Sequence, residues 1–353
     1  MRERYFVRVL MCLAILSSQI VTAGETLFRV ERLLDRPIIT PATHPSIGEN
    51  IQGPSLVRVP DWVEAPLGRY YLYFADHKGR YIRLAFADAL IGPWAVHPPG
   101  SLQLTESHFP EEAPEGTPEQ LEAVAARRAK ATGIGLEGLG HDLVKESSWP
   151  HIASPDVHID HDNQRFVMYF HGLESFGRQV TRAATSKDGI RFVAEPEILG
   201  RTYWRAFRHD GYHYALAMPG QIYRSRDALH GFEAGPRLFN PDMRHAGLLK
   251  RDDRLYVFYT QVGQTPERIL WSSIELGADW MSWRESTPVE ILRPERDWEG
   301  ADAPLVPSVR SVAYGHVNQL RDPAIYEEDG RVYLLYAVAG ESGIALAELH
   351  LEN

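Results

Sequence analysis

Five times along the chain, a short apolar run gives way to a polar turn and then to a strand dense in aromatic and β-branched residues. Gly53-Pro54-Ser55-Leu56-Val57 leads to Gly68-Arg69-Tyr70-Tyr71-Leu72-Tyr73, and Ser154-Pro155-Asp156-Val157 leads to Gln164-Arg165-Phe166-Val167-Met168-Tyr169. Trp204-Arg205-Ala206-Phe207 precedes Asp210-Gly211-Tyr212-His213-Tyr214, and His245-Ala246-Gly247-Leu248-Leu249 precedes Asp253 to Tyr259. The fifth copy runs from Asp322-Pro323-Ala324-Ile325-Tyr326 through Asp329-Gly330 to Tyr336. Such compositions suit half-buried strands joined by tight turns. A third, small-residue strand follows in each copy, for example Ile82-Arg83-Leu84-Ala85-Phe86-Ala87 and Ile344-Ala345-Leu346-Ala347-Glu348. In four copies an aromatic then opens a fourth segment, at Trp94, Phe192, Phe232 and Trp283.

Five copies of a four-stranded unit predict an all-β fold, a five-bladed β-propeller in one domain over 24–353. The last copy stops after its third strand, so Leu27-Phe28-Arg29-Val30-Glu31-Arg32-Leu33 is expected to supply the fourth and close the ring. Closure removes open sheet edges. One helical insertion is expected between the first two blades, within 110–150. Thr117-Pro118-Glu119-Gln120 reads as a capping box with Pro at the first helical position, and Gly133 as the helix stop.

Composition narrows the function. The formal net charge of −10 opposes nucleic acid or an anionic membrane as partner. Residues 1–23 read as a signal peptide: Arg2, Arg4 and Arg8, an apolar run from Val9 to Ile20, and Val21-Thr22-Ala23 before Gly24. The mature chain is then exported, periplasmic or extracellular, with no membrane association after cleavage. Cys12 is the only cysteine and lies in that segment, which excludes disulfides and thiolate-held zinc in the mature chain.

The repeat also nominates a site, because inner-strand starts and second-to-third strand loops share one face of a propeller. The inner-strand starts offer Asn50, Gln52, Asp156, His158, Arg205, His245, Arg321 and Asp322; the loops offer Asp76, His77, Lys78, His171, Glu174, Gln261 and Glu341. Convergent polar groups in a concavity are the usual mark of a site. Competing readings stand beside them: a local strand cap paired with Arg321 for Asp322, turns for Asp76 and His77, and core histidines for His171 and His245. Trp62, Trp149, Trp204 and Trp298 lie outside the packing alternation and are candidates for stacking on sugar faces.

The stretch Asp322-Pro323-Ala324-Ile325-Tyr326, followed by Asp329-Gly330-Arg331-Val332-Tyr333-Leu334-Leu335-Tyr336, resembles the five-bladed propellers of glycoside hydrolase family 43 and their invertase- and levansucrase-like relatives. The resemblance implies hydrolysis of glycosidic bonds in an oligosaccharide or polysaccharide by acids of the first three blades. This chain departs from the pattern. Gly53 and Ser154 stand at the acidic positions of blades one and two, and blade three opens Tyr203-Trp204-Arg205. The expectation is therefore a glycoside hydrolase with relocated carboxylates. Asp156 and Glu174 form its acid and base, aided by Asp322, with Asp76, His77, His171, Trp204, Arg205, His245, Arg321 and Glu341 around the substrate. A polysaccharide lyase using His or Tyr on an acidic sugar, with Arg205 and Arg321 neutralising its carboxylate, and a non-catalytic sugar-binding propeller are the alternatives. No cofactor is required by the sequence, and calcium is an open possibility.

Overall fold

The computed structural model describes residues 28–132 and 142–351. The expected signal peptide, Leu27 and the expected helix stop at Gly133 lie outside the described residues. Five four-stranded antiparallel sheets surround an axis. Blade one comprises β2 (Gln52–Arg58), β3 (Tyr70–Ala75), β4 (Tyr81–Ala87) and β5 (Ala95–Gln103); blade two comprises β6 (Ile152–Asp160), β7 (Arg165–Ser175), β8 (Arg178–Ser186) and β9 (Val193–Ala194). Blade three holds β10 (Arg205–His209), β11 (Tyr212–Ala217), β12 (Gln221–Ser225) and β13 (Glu233–Arg237). Blade four holds β14 (Met243–Arg251), β15 (Arg254–Gln261), β16 (Ile269–Glu275) and β17 (Val289–Leu292).

Blade five is the expected composite. Its inner three strands are β18 (Arg321–Glu328), β19 (Arg331–Ala337) and β20 (Ile344–Leu351), and the N-terminal β1 (Phe28–Arg32) pairs antiparallel with β20, Phe28 opposite Leu351. Phe28 is buried edge-on against Tyr256, Phe258 and Trp271 of the neighbouring blade. Arg32 donates to Glu299 at 2.8 Å, a second tie across the closure.

The aromatic second strands read as almost continuous apolar runs because both of their faces are covered. In β3, Tyr71 and Tyr73 pack toward blade two with Phe166 and Met168, while Tyr70, Leu72 and Phe74 pack toward blade five with Leu335 and Leu346. Period-two alternation thus feeds two inter-blade cores from one strand. Burying each large apolar side chain contributes about 1.5–3 kcal/mol.

The insertion contains the expected helix, α1 (Pro118–Thr132). Its capping box is formed: Thr117 N–H donates to Gln120 Oε1 at 2.9 Å, and Gln120 N–H donates to Thr117 Oγ1 at 3.2 Å. A second, unanticipated helix, α2 (Leu143–Ser148), is capped by Asp142, whose side chain accepts from Lys145 N–H.

At the waist of the axis the inner strands nearly touch. A Cβ on Gly53 would lie 2.9 Å from Ser154 Cα, and one on Gly247 would lie 3.1 Å from Ala324 Cα. Four of the five inner strands enter through a left-handed residue: Gly53 (φ 64°), Ser154 (φ 48°), Tyr203 (φ 59°) and Asp322 (φ 50°). Three of these entries, and that of β14, also carry a register shift. Such bulges re-aim a side chain, and here they turn one residue per blade toward the axis.

Candidate functional site at the axis

The axis carries one group from blade three at its centre. The Arg205 guanidinium donates to Ala246 O at 2.8 Å, Pro155 O at 2.9 Å and Pro54 O at 3.4 Å, so blades four, two and one are stitched to it. Above this arginine, where the inner strands begin, lies a buried polar cluster. Below it, a cavity of about 630 Å³ opens to solvent.

The cluster is organised around Tyr203, which the sequence reading did not nominate. Its ring lies between His171 and His245, with centroids 4.2 and 4.0 Å away. Its hydroxyl is 3.1 Å from His77 Nε2. His77 Nδ1 in turn lies 3.1 and 3.2 Å from the two Glu341 oxygens. A carboxylate only accepts, so Nδ1 carries the proton and Nε2 accepts from the phenol. Glu341 also accepts from Arg321 at 2.8 Å and from Asn50 at 2.8 Å. Burial opposes ionisation of Glu341, but His77 and Arg321 outweigh it and hold the carboxyl well below the usual range. Burial pushes the Tyr203 phenol up, so it is protonated at neutral pH.

Seven of the nominated residues, Asn50, His77, His171, His245, Arg321, Asp322 and Glu341, come together here. His245 Nδ1 abuts Asp322 Oδ1. Asp322 therefore meets an imidazole, whereas Arg321 turns to Glu341 and to Glu267, 3.4 Å away. Both ring nitrogens of His171, and Nε2 of His245, have no hydrogen-bond partner among the described residues. Buried polar atoms left in that state point to a water or ligand partner.

Other nominated residues lie elsewhere. Asp156 pairs with Tyr169 and Glu174 sits five residues farther along β7, which separates them by about 17 Å at a strand's rise per residue. Inversion sets two carboxyls about 6.5–9.5 Å apart, so the two do not flank one bond. Glu174 is held by Arg182 at 2.8 Å on a hairpin that projects beyond the start of the inner strand. Asp156 faces the lower cavity. Asp76 caps Lys78 N–H at 2.8 Å and faces Arg83 at 3.5 Å, a turn at the rim. Trp204, expected to stack on sugar, is 1% exposed and packs against Tyr169, Tyr223 and Phe232. The left-handed turn at Tyr203 is the reason: it sends the phenol to the axis and the indole between blades.

The cluster is roofed. Val309 O accepts from Arg244 at 3.0 Å and Ser311 O from Arg321 at 3.0 Å, while Ala313 N–H donates to Glu341 at 3.3 Å. Ser311 Oγ donates to Glu146 of α2 at 2.6 Å, so strap and insertion meet over the axis. Among the described residues no group of three or more His, Cys, Asp or Glu is placed to hold a metal ion, and no helix is long and apolar enough to cross a membrane.

Burial, reinforced by neighbouring cations, lowers the pKa of His151, His171 and His245 well below the ordinary imidazole value. Each takes up a proton near pH 6.5 only when the chain is unfolded. The unfolded state then binds more protons, so stability is expected to fall progressively as pH drops below about 6.5. Urea midpoints measured from pH 8 to 5 test this, and a flat profile would contradict neutral burial of these rings.

No family model matches the chain. It is 37% identical over 326 residues to uncharacterized protein R118 of Acanthamoeba polyphaga mimivirus, covering 85% of this chain and 83% of that one. Among solved structures it superposes on a family-43 enzyme from Xanthomonas citri with a TM-score of 0.52 at 10% identity, covering 89% of each chain. A family-43 β-xylosidase/α-arabinofuranosidase from a compost metagenome, solved with xylotriose, gives 0.51 at 12% identity over 91% of this chain and 94% of that one. An endo-1,4-β-xylanase from Bacteroides thetaiotaomicron gives 0.51 at 13% identity, with 84% and 89% covered. At such identities the likeness is one of fold. The chain thus belongs to the same protein family as the mimivirus protein and has the five-bladed propeller fold of the family-43 glycoside hydrolases.

Proposed function

We propose that the chain is an exported carbohydrate-active enzyme, a glycoside hydrolase that cleaves an oligosaccharide at the roofed, polar end of its axis. The observation that carries this reading is the chain of contacts Tyr203–His77–Glu341–Arg321, buried where inner strands from several blades converge. Such an arrangement lets a phenol pass its proton to an imidazole whose resulting charge a carboxylate stabilises. In this reading Tyr203 activates the attacking water. Asp322, which shares a proton with the neutral His245 it abuts, delivers that proton to the leaving oxygen and regains one from His77 at the end of the turnover. Water is consumed and two hydroxyl-terminated sugars leave. Glu341 and Asp322 replace Asp156 and Glu174 as the working carboxylates. The xylotriose bound by the compost enzyme supports a carbohydrate substrate by analogy of fold. Turnover requires the 309–313 strap to lift. Calcium has no matching ligand group among the described residues.

A lyase is the second reading, and one observation favours it. The charges of Arg244, Arg321 and Arg310 all bear on Tyr203 and would suit the carboxylate of a uronate beside a phenolic base. Incubating the chain from Gly24 with neutral and acidic oligosaccharides, then weighing the products by mass spectrometry, separates the readings. Products that together gain one water support hydrolysis. Unsaturated products without added water support the lyase. Saturable binding with no product would overturn both and leave a sugar-binding propeller.

A further inference from the structure

The lower cavity is a different environment. At about 630 Å³ it falls within the 300–1,000 Å³ usual for small-molecule sites. Its floor is Arg205 and its wall carries Asp156 and His158. Asp156 Oδ2 lies 2.8 Å from His158 Nε2 and accepts from Ala206 N–H at 2.7 Å. The carboxylate and the backbone donor thus fix an imidazole whose side chain remains 41% exposed. Trp62, edge-on to His161 with ring centroids 5.3 Å apart, and Tyr326 add aromatic surface to the wall.

Most charges of this cavity are matched in pairs, Asp61 being the lining carboxylate without an ion pair among the described residues. Asp156 faces both His158 and Arg205, the latter at 3.7 Å, and Arg58 meets Glu328 at 3.0 Å. Glu327 is paired with Arg251. The Asp61 carboxylate that remains disfavours an anion. What the cavity offers is an oriented acceptor–imidazole couple beside aromatic faces, the combination that suits hydroxyls on one side of a ring and C–H groups on the other.

From this juxtaposition we propose that the lower mouth of the axis is a second, non-catalytic site for the end of a neutral oligosaccharide, separated from the Tyr203 cluster by Arg205. The proposal stands apart from the enzymatic reading, since it needs binding and no bond cleavage. The test is calorimetric titration of the Tyr203→Phe chain with xylo-, gluco- and galacto-configured neutral trisaccharides, beside uronate trisaccharides. Saturable binding of at least one neutral trisaccharide is expected, weakened about tenfold or more by Trp62→Ala and by His158→Leu. His158→Leu and Trp62→Ala alter the cavity wall at different points, so a folding defect in one leaves the other decisive. In the chain with Tyr203 intact, Trp62→Ala is expected to leave kcat unchanged. No neutral trisaccharide bound, a preference for the uronates, or affinity untouched by both substitutions would each overturn the proposal. Loss of product formation in the screen above, with this binding retained, would sink the enzyme reading alone.

Discussion

Tyr203→Phe is expected to lower kcat on a proven substrate by about 10²–10⁴, the usual contribution of a positioned acid–base group. KM is expected to change little. The substitution keeps the ring between His171 and His245 and removes only the hydroxyl that reaches His77. The phenol is raised by burial, so its proton leaves only as the imidazole accepts it. His77→Gln is therefore expected to give a comparable loss, and the double variant little more than either single one, because the two groups act as a unit. Steady-state kinetics at several pH values provide the check. Full activity in Tyr203→Phe would remove the phenol from the mechanism.

Arg321→Met carries the largest expected cost in stability. Arg321 is wholly buried and donates to Glu341, Gln319 and Ser311 O at 2.8, 2.9 and 3.0 Å, with Glu267 at 3.4 Å. Glu267 keeps Thr260 at 2.7 Å and Arg244 at 3.4 Å, but Glu341 loses its only guanidinium among the described residues. Removing one partner from a buried pair costs about 3–5 kcal/mol, mainly through the charge left behind. Urea unfolding at pH 7 measures it. Adding Glu341→Gln is expected to recover part of the loss, since the stranded charge goes too. A cost below about 1 kcal/mol for Arg321→Met would mean that water already screens this network.

Much of the fold was legible because a propeller repeats its signal. Polar turns, aromatic second strands and small-residue third strands recur at every blade, and the missing fourth strand pointed to residues 27–33. The second helix was not legible: Leu143–Ser148 spans only six residues, and its sequence lacks a long apolar period. The site was legible as a face and not as an arrangement. His77, His171, His245, Asp322 and Glu341 were found because the repeat places them on one end. Tyr203 was passed over as merely a lost acid. Its signal was positional: it occupies the inner-strand entry shared with Gly53, Ser154 and Asp322, all left-handed. Trp204 was misplaced for the same reason, since the turn shifts the alternation by one residue. The separation of Asp156 from Glu174 depends on how far β7 and β8 extend their hairpin, which hydrophobic pattern alone does not fix.

Gly53 stands where the resemblance to family 43 puts an acid, and sterics exclude one there. Gly53 lies so close to Ser154 that a side chain of any size would strike the neighbouring backbone. A carboxylate placed there would push two inner strands apart.

Arg205, held by carbonyls of three other blades, closes the axis between the lower cavity and the roofed cluster, so the axis is not a tube. A chain-like ligand cannot be threaded through the axis from one end to the other. Whatever enters the lower cavity must leave by the opening it came through.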